Sequence, residues 1–186
     1  VLLTATRQGL NKNSAEPKDW NDKKATEPTD EQVTFYKGLV LAGPSAKGKE
    51  LAEKVNKGEK LTWDDLNSAK WTVLSSSSAS GYIYPTLWLK ENFGKKITDL
   101  ANVVQSDSYT NAMTRLAAEQ VDIVVGYADL RRDNVDKWQK EMGASAPIWE
   151  ATNVIGVTPD IVNDTVSASK TSTTVSPELN EAIKKA

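Results

Sequence analysis

At 186 residues the chain is long enough to bury a core of its own, and 39% hydrophobic with 26% charged residues is a globular rather than a disordered composition. Its 23 bases and 25 acids leave a formal charge of -2, which denies it the basic field that a nucleic-acid partner requires. With neither cysteine nor histidine it has no disulfide, no thiolate nucleophile, no ordinary zinc or iron–sulfur ligation and no imidazole base, so few common enzyme mechanisms survive.

Residues 2–8 read as a short extended segment. The following NKNSAEPKDWNDKKATEPTDE is polar and broken by two prolines, and predicts a surface excursion or an unstructured stretch, with KDWNDKK at 18–24 a solvated face. The opening is too short and too soon polar for a spanning helix or an export signal, and no apolar run approaches the ~18 residues of a membrane span. VTFYKGLVLA, from Val33 to Ala42, is β-branched and aromatic and ends at Gly43-Pro44, the pattern of a strand. Helices are expected from Ala46 to Val55, with Leu51 and Val55 inward, and from Thr62, where Asp65 completes a capping box. KWTVL at 70–74 then predicts a central strand that runs into serines.

Past the serines, a helix from about Gly81 to Phe93 would set Ile83, Leu87 and Trp88 against a core, and it tolerates Pro85 only in its first turn. A strand at 101–105 follows, then a helix from Tyr109 to Glu119 capped by Ser108, with Ala112, Met113, Leu116 and Ala117 inward. VDIVVGY at 121–127 is a buried strand. Leu130, Val135, Trp138 and Met142 recur near helical spacing, while Arg131, Arg132, Asp133, Asp136 and Lys137 fill the opposite face, as in an amphipathic surface helix. Short strand candidates lie at 147–149 and 153–157, and SPELNEAIKKA opens a last helix with Ser176 and Pro177. The alternation of strand and helix predicts an α/β fold with a partly parallel sheet covered on both faces. The absent start methionine, and a terminal helix without a stop signal, predict a processed product or a piece of something longer.

SSSSASGY at 75–82 joins the end of a buried strand to the start of a helix. The first turn of a helix exposes unpaired N–H groups and the positive end of its peptide dipoles, so an anion there gains charge-assisted hydrogen bonds. Ser78 and Ser80 add hydroxyl donors, and Gly81 lets the backbone come close. The three tetrahedral oxygens of a phosphonate, phosphate or phosphite would use this cluster fully, and a carboxylate less so. Equally, serines cap helices and fill loops. No Walker or Rossmann glycine pattern is present to support nucleotide chemistry.

WTVLSSSSASGYIYPTLWLKENFG resembles the strand, serine turn and helix of the phosphate/phosphonate/phosphite-binding proteins of ABC transporters, in which S-T-S-G-Y is followed shortly by proline. Ser78-Ala79-Ser80-Gly81-Tyr82 and Pro85 match, with Ala79 in place of the usual hydroxyl residue. Ser108-Tyr109-Thr110 stands where the family begins its next helix with S-H-D, and Gln120-Val121-Asp122 where it enters the next strand with E-V-D. The order of elements is similar over about 33–180.

The resemblance implies a three-layer α/β lobe of a type II periplasmic binding protein, with a mixed, mostly parallel sheet flanked by helices. It divides the chain into residues 1–42, a remnant of a first lobe with the first hinge crossing; 43–162, the second, ligand-binding lobe; and 163–186, the return crossing and the start of a C-terminal helix of the first lobe. It implies that Ser78, the Ala79 backbone, Ser80 and Gly81 hold phosphonate oxygens, joined by Tyr109 in place of histidine. A phenol donates one hydrogen bond but brings no positive charge. By the same resemblance Asp129 and Asp164 meet the amine of an aminoalkylphosphonate; on pattern alone Asp129 is equally a helix cap and Asp164 an Asx turn beside Asn163. Tyr82 and Tyr127 would either wall the cleft or fill core.

The implied function is that of the substrate-binding component of an ABC importer, without catalysis, cofactor or metal. Its partners would be a small phosphonate- or phosphate-like ligand and, in the intact protein, an ABC permease, with no nucleic acid. An extracytoplasmic place is implied, in the periplasm or as a lipoprotein held at the membrane through an anchor missing from this sequence. The alternatives are a ligand-sensing or protein-interaction domain of the same fold and, behind it, a small-molecule enzyme.

Overall fold

The computed structural model describes residues 1–185. Strands β1 (Leu3–Thr4) and β2 (Arg7–Leu10) lead through a 3₁₀ turn at Pro17–Trp20 to β3 (Pro28–Val33), which pairs antiparallel with β2. β4 (Phe35–Ala42), α1 (Ala46–Asn56), α2 (Trp63–Asn67), β5 (Trp71–Val73) and α3 (Tyr84–Phe93) come next. They are followed by β6 (Val103–Gln105), α4 (Tyr109–Ala117) and β7 (Ile123–Tyr127). The short helices α5 (Leu130–Asp133), α6 (Val135–Lys140) and α7 (Ile148–Ala151) precede the long β8 (Asn153–Val162). β9 (Thr165–Val166) pairs with β1, and α8 (Pro177–Lys185) is the last element.

Five strands form the central sheet in the order β6-β5-β7-β4-β8. β5 is parallel to β6 and β7, whereas β4 is antiparallel to β7 and to β8. The expected α/β layering and mixed sheet are present, although the sheet is not strictly mostly parallel, with two parallel and two antiparallel pairings. The reason lies in β4: it brings the chain in against the direction of the strands that the helical crossovers connect, and β8 runs back beside it.

Alternation along the strands splits the core in two. Leu39 and Leu41 of β4, Val124 of β7 and Val154 of β8 face α4, α6 and α7, packing on Met113, Leu116, Trp138 and Ile148. Val40, Ala42, Ile123, Val125 and Ile155 face α1, α2 and α3, packing on Leu51, Leu66, Trp88 and Leu89. Helices on both faces of one sheet make three layers. The helix starts are set by side chains the sequence supplies: Ser45 Oγ accepts from Gly48 N–H, Ser108 Oγ accepts from Asn111 N–H, and Thr62 and Asp65 cap α2 reciprocally. Asp122 ties two of these pieces together, accepting from Ser45 Oγ at 2.6 Å and from Lys70 N–H at 2.7 Å.

Several expectations fail for identifiable reasons. Ile83 and Leu87 are 41% and 40% exposed, while Trp88 and Leu89 are buried. The chain enters α3 through a π-helical turn at Ala79–Ile83, and the extra residue in that turn rotates the inward stripe onto later positions. The stretch 18–24 is solvated at Lys18, Asp19, Asp22, Lys23 and Lys24, but Trp20 within it is buried in the core, and its indole N–H donates to Ser14 O. The amphipathic helix over 130–142 is two short helices, and Arg131, expected outward, is buried, stacked on the Trp149 ring and donating to Trp20 O at 3.2 Å. Burial pulls its pKa down to about 10, with Asp22 opposing the shift. Residues 148–151 are helical instead of extended, and the strand expected from Val33 is interrupted at Thr34.

Two measurements follow from this packing. Trp20→Ala is expected to cost about 3–5 kcal/mol in urea unfolding, as for a large buried aromatic; a loss below about 1 kcal/mol would place the 12–32 segment outside the cooperative unit. For Asp65, burial raises the carboxyl, but the Lys54 ammonium and the Thr62 N–H and hydroxyl outweigh it and lower the pKa from 3.8 to about 2. A folded value below the unfolded one means a contribution fully present above about pH 4 and lost as pH falls towards about 2. Asp65→Asn is therefore expected to cost about 1–2 kcal/mol at neutral pH, with the gap closing on acidification. An undiminished gap at low pH would rule this out.

Candidate functional site

β5 runs out at Val73, and the chain loops through Ser78 into the π-helical turn that continues as α3. Ile83 N–H donates to Ser78 O at 3.0 Å and Tyr84 N–H donates to Ala79 O, the wide spacing that defines the turn. Ser78 caps it, its Oγ accepting from Gly81 N–H at 3.2 Å. The N–H groups of Ala79 and Ser80 find no acceptor among the described residues. A Cβ on Gly81 would lie 2.7 Å from Ser78 Oγ and 2.8 Å from Leu74 Cβ. Glycine is thus required by close packing inside the turn, beyond any approach of a ligand to its backbone.

Tyr109, the first residue of α4, closes over this turn. Its hydroxyl lies 2.8 Å from Ser80 Oγ and 3.4 Å from Ser78 Oγ. Three hydroxyls own three hydrogens and these two contacts use two, which leaves one to point into the adjacent space. The Tyr109 ring stands edge-on to Tyr127, with centroids 5.0 Å apart and planes at 81°. Gly126 makes room for it: a Cβ there would sit 3.1 Å from Tyr109 Cε1 and 2.5 Å from Leu130 Cδ2.

Tyr127 donates from its hydroxyl to Asp133 Oδ2 at 2.9 Å, and burial together with that carboxylate raises its pKa above the ordinary phenol value. Tyr36 comes from β4, and its pKa is also raised, chiefly by burial, with the nearby Ser80 hydroxyl pulling the other way. Above the Tyr36 ring, 4.4 Å from its centroid, sits the guanidinium of Arg7 from β2. Together Arg7, Tyr36, Ser78, Ala79, Ser80, Tyr109 and Tyr127 line a cleft of about 310 Å³.

Of the residues singled out from the sequence, Ser78, Ala79, Ser80 and Tyr109 converge on this cleft, whereas Gly81 is buried and is not part of its lining. Tyr127 also lines it, while Tyr82 packs against the opposite core. Asp129 and Asp164 are not part of its lining. Asp129 borders a neighbouring cleft of about 150 Å³, with Oδ1 2.9 Å from Arg132 and Oδ2 3.7 Å from Arg7. The Arg132 contact is an ion pair without hydrogen-bond alignment, leaving Oδ1 without a hydrogen bond. Burial raises the Asp129 pKa, and the Arg132 charge opposes the rise. Its side chain makes no cap bond to α5. Asp164 is exposed beyond β8, and its carbonyl accepts from Ala5 N–H at 2.8 Å. Sequence reasoning misses Arg7 and Tyr36; each reaches the cleft only through long-range pairing, for which spacing along the chain gives no signal.

Residues 24–186 match the family described as the periplasmic substrate-binding proteins of phosphonate ABC transporters. The chain belongs to that family. It is a family of substrate-binding transport proteins and not of enzymes, and among the described residues no cluster able to hold a metal ion occurs. Comparison with curated proteins finds no match. Among solved structures, PhnD1 from Prochlorococcus marinus in complex with methylphosphonate is similar at 16% identity and a TM-score of 0.50, over 70% of this chain and 43% of that one. A protein from Xanthomonas citri, bound to ATP, is similar at 12% identity and a TM-score of 0.53, over 82% and 51%. A binding-protein component of an ABC phosphonate transporter from Pseudomonas aeruginosa is 16% identical with a TM-score of 0.47, over 70% and 38%. The chain thus spans between about two-fifths and half the length of these structures; its likeness to the Prochlorococcus and Xanthomonas proteins is consistent with the type II binding-protein fold.

The coupling of Ser80 and Tyr109 is open to a double-mutant cycle in thermal or urea unfolding. Ser80→Ala and Tyr109→Phe are expected to interact by about 0.5–1.5 kcal/mol, the net worth of one hydrogen bond. Strict additivity would mean that the two hydroxyls do not bond in solution.

Proposed function

We propose that this chain carries the oxyanion-holding half of an ABC-importer substrate-binding protein, with the serine turn as the place where a phosphonate or related phosphorus oxyanion rests. The observation that carries the proposal is the convergence of Ser78, Ser80 and Tyr109 on one cleft at the start of a helical segment whose Ala79 and Ser80 amides are unpaired among the described residues. Hydroxyl and amide hydrogens aimed at one small volume suit a tetrahedral group with several acceptor oxygens, and the dipoles of the following helix favour its negative charge. Gly81 contributes by allowing the turn to pack; Asp129 and Asp164 are nominated for a positively charged end of the guest by the family resemblance alone, and neither lines this cleft.

The division into residues 1–42, 43–162 and 163–186 accompanies this reading. β4 and the stretch beyond β8 would be two crossings between lobes, and closure of a partner lobe would complete the burial of the guest. The intact protein would then deliver its cargo to a membrane permease outside the cytoplasm, in the periplasm or tethered by a lipid anchor. A lobe acting alone lacks half the contacts and is expected to bind weakly.

Because weak binding is expected, NMR titration of the ¹⁵N-labelled chain with methylphosphonate is the suitable test. Shifts should concentrate in the amides of 78–82 and 109, and Ser80→Ala should weaken the titration by about 1–3 kcal/mol. A response spread evenly over the surface, or none at all, would remove the assignment.

A further inference from the structure

The cleft at the serine turn holds one charged side chain, and it is a cation. Arg7 lines it; its other polar side chains belong to Tyr36, Ser78, Ser80, Tyr109 and Tyr127, and no carboxylate of the described residues borders it. Arg7 lies outside residues 24–186, the stretch that matches the family. It is positioned from three sides. Its backbone is fixed in the β2–β3 pairing opposite Val33, its guanidinium plane rests on the Tyr36 ring, and Asp129 Oδ2 stands 3.7 Å from its Nη1. Its side chain is 41% exposed, against 13% for Asp129, so the arginine reaches forward and the carboxylate stays behind it.

Asp129 therefore meets two guanidiniums, Arg7 and Arg132, before any guest reaches it. A ligand ammonium could engage that carboxylate only by displacing or crowding a cation already there, at the expense of like-charge repulsion. Asp164 is exposed and borders neither cleft. Asp133, which accepts from the Tyr127 hydroxyl, also stands outside the lining, so the lining itself offers no carboxylate to a positive group on a small guest. A guanidinium offering a planar fork, with three hydroxyls opposite, is instead matched to the oxygens of an anion.

Resting on the serine-turn reading, we propose that Arg7 is the cationic contact of the bound oxyanion, that Asp129 orients Arg7 instead of receiving a ligand amine, and that the site selects phosphonates or inorganic phosphorus oxyanions without an ammonium group. Arg7 thereby supplies the positive charge that Tyr109 lacks.

Ethylphosphonate and aminoethylphosphonate differ only by the amine, and NMR titration of the full 186-residue chain with each reads the selectivity directly. Ethylphosphonate is expected to bind at least about tenfold more tightly. Arg7→Gln should weaken ethylphosphonate by about 10- to 100-fold, and Arg7→Lys should recover part of that loss. Asp129→Asn should weaken both ligands together, through loss of Arg7 orientation, and leave the ratio between them largely unmoved. A carboxylate that receives the amine would instead, on removal, cost aminoethylphosphonate alone.

Equal or tighter binding of aminoethylphosphonate, or an Arg7→Gln chain that titrates like the unsubstituted one, overturns the inference. If those results come with Ser80→Ala still weakening both ligands, the serine-turn reading survives without it. If neither phosphonate binds at any accessible concentration, both readings fall.

Discussion

Amide hydrogens at the beginning of a helix have no acceptor in the helix itself, and burying them unpaired costs free energy. Much of this lobe is organised by how that constraint is met. At α1 and α4 a serine hydroxyl takes one amide, that of Gly48 and that of Asn111, and at α2 Thr62 and Asp65 cap each other reciprocally. At the turn before α3 Ser78 takes the Gly81 amide in the same way, and what differs is that this turn opens on a cleft to which Ser80 and Tyr109 add hydroxyls. The helix starts differ here in what stands before them, not in how many donors the cap takes up.

The sheet explains why those donors have somewhere to point. β5 is short and ends early, while β4 and β7 carry Tyr36 and Tyr127 up beside it. Because β4 runs against its neighbours, its beginning, where Tyr36 sits, lies level with the end of β7. A strictly parallel arrangement would have brought the end of β4 there instead. The aromatic walls and the serine turn therefore share one rim of the sheet, the position at which open α/β sheets commonly bind ligands.

What residue order reveals in this chain is local. Capping residues are decided within three or four positions, so Thr62 with Asp65, Ser108 and the inward stripe of α4 are legible in the sequence itself. The serine turn is legible for the same reason, and its resemblance to a family supplies a chemistry. The phase of α3 is not, since a π-helical turn leaves no mark in a hydrophobic pattern that assumes regular spacing. Nor are the fates of Trp20 and Arg131, which bury one another's polar needs across 111 positions, a carbonyl accepting from a guanidinium inside the core. The polar residues around Trp20 conceal its anchoring, because composition averages over neighbours whereas packing acts on a single side chain.

The hydroxyl triad of Ser78, Ser80 and Tyr109 has a kinetic corollary. Its members satisfy each other by sharing hydrogens that rotate about C–O bonds, so passing from mutual contact to contact with a guest displaces no heavy atom. If a guest is held at this point as proposed, its capture would need only torsional rearrangement of protons. Slow steps in such binding would then arise elsewhere, in movements of whole segments of the chain rather than in assembly of the contact points.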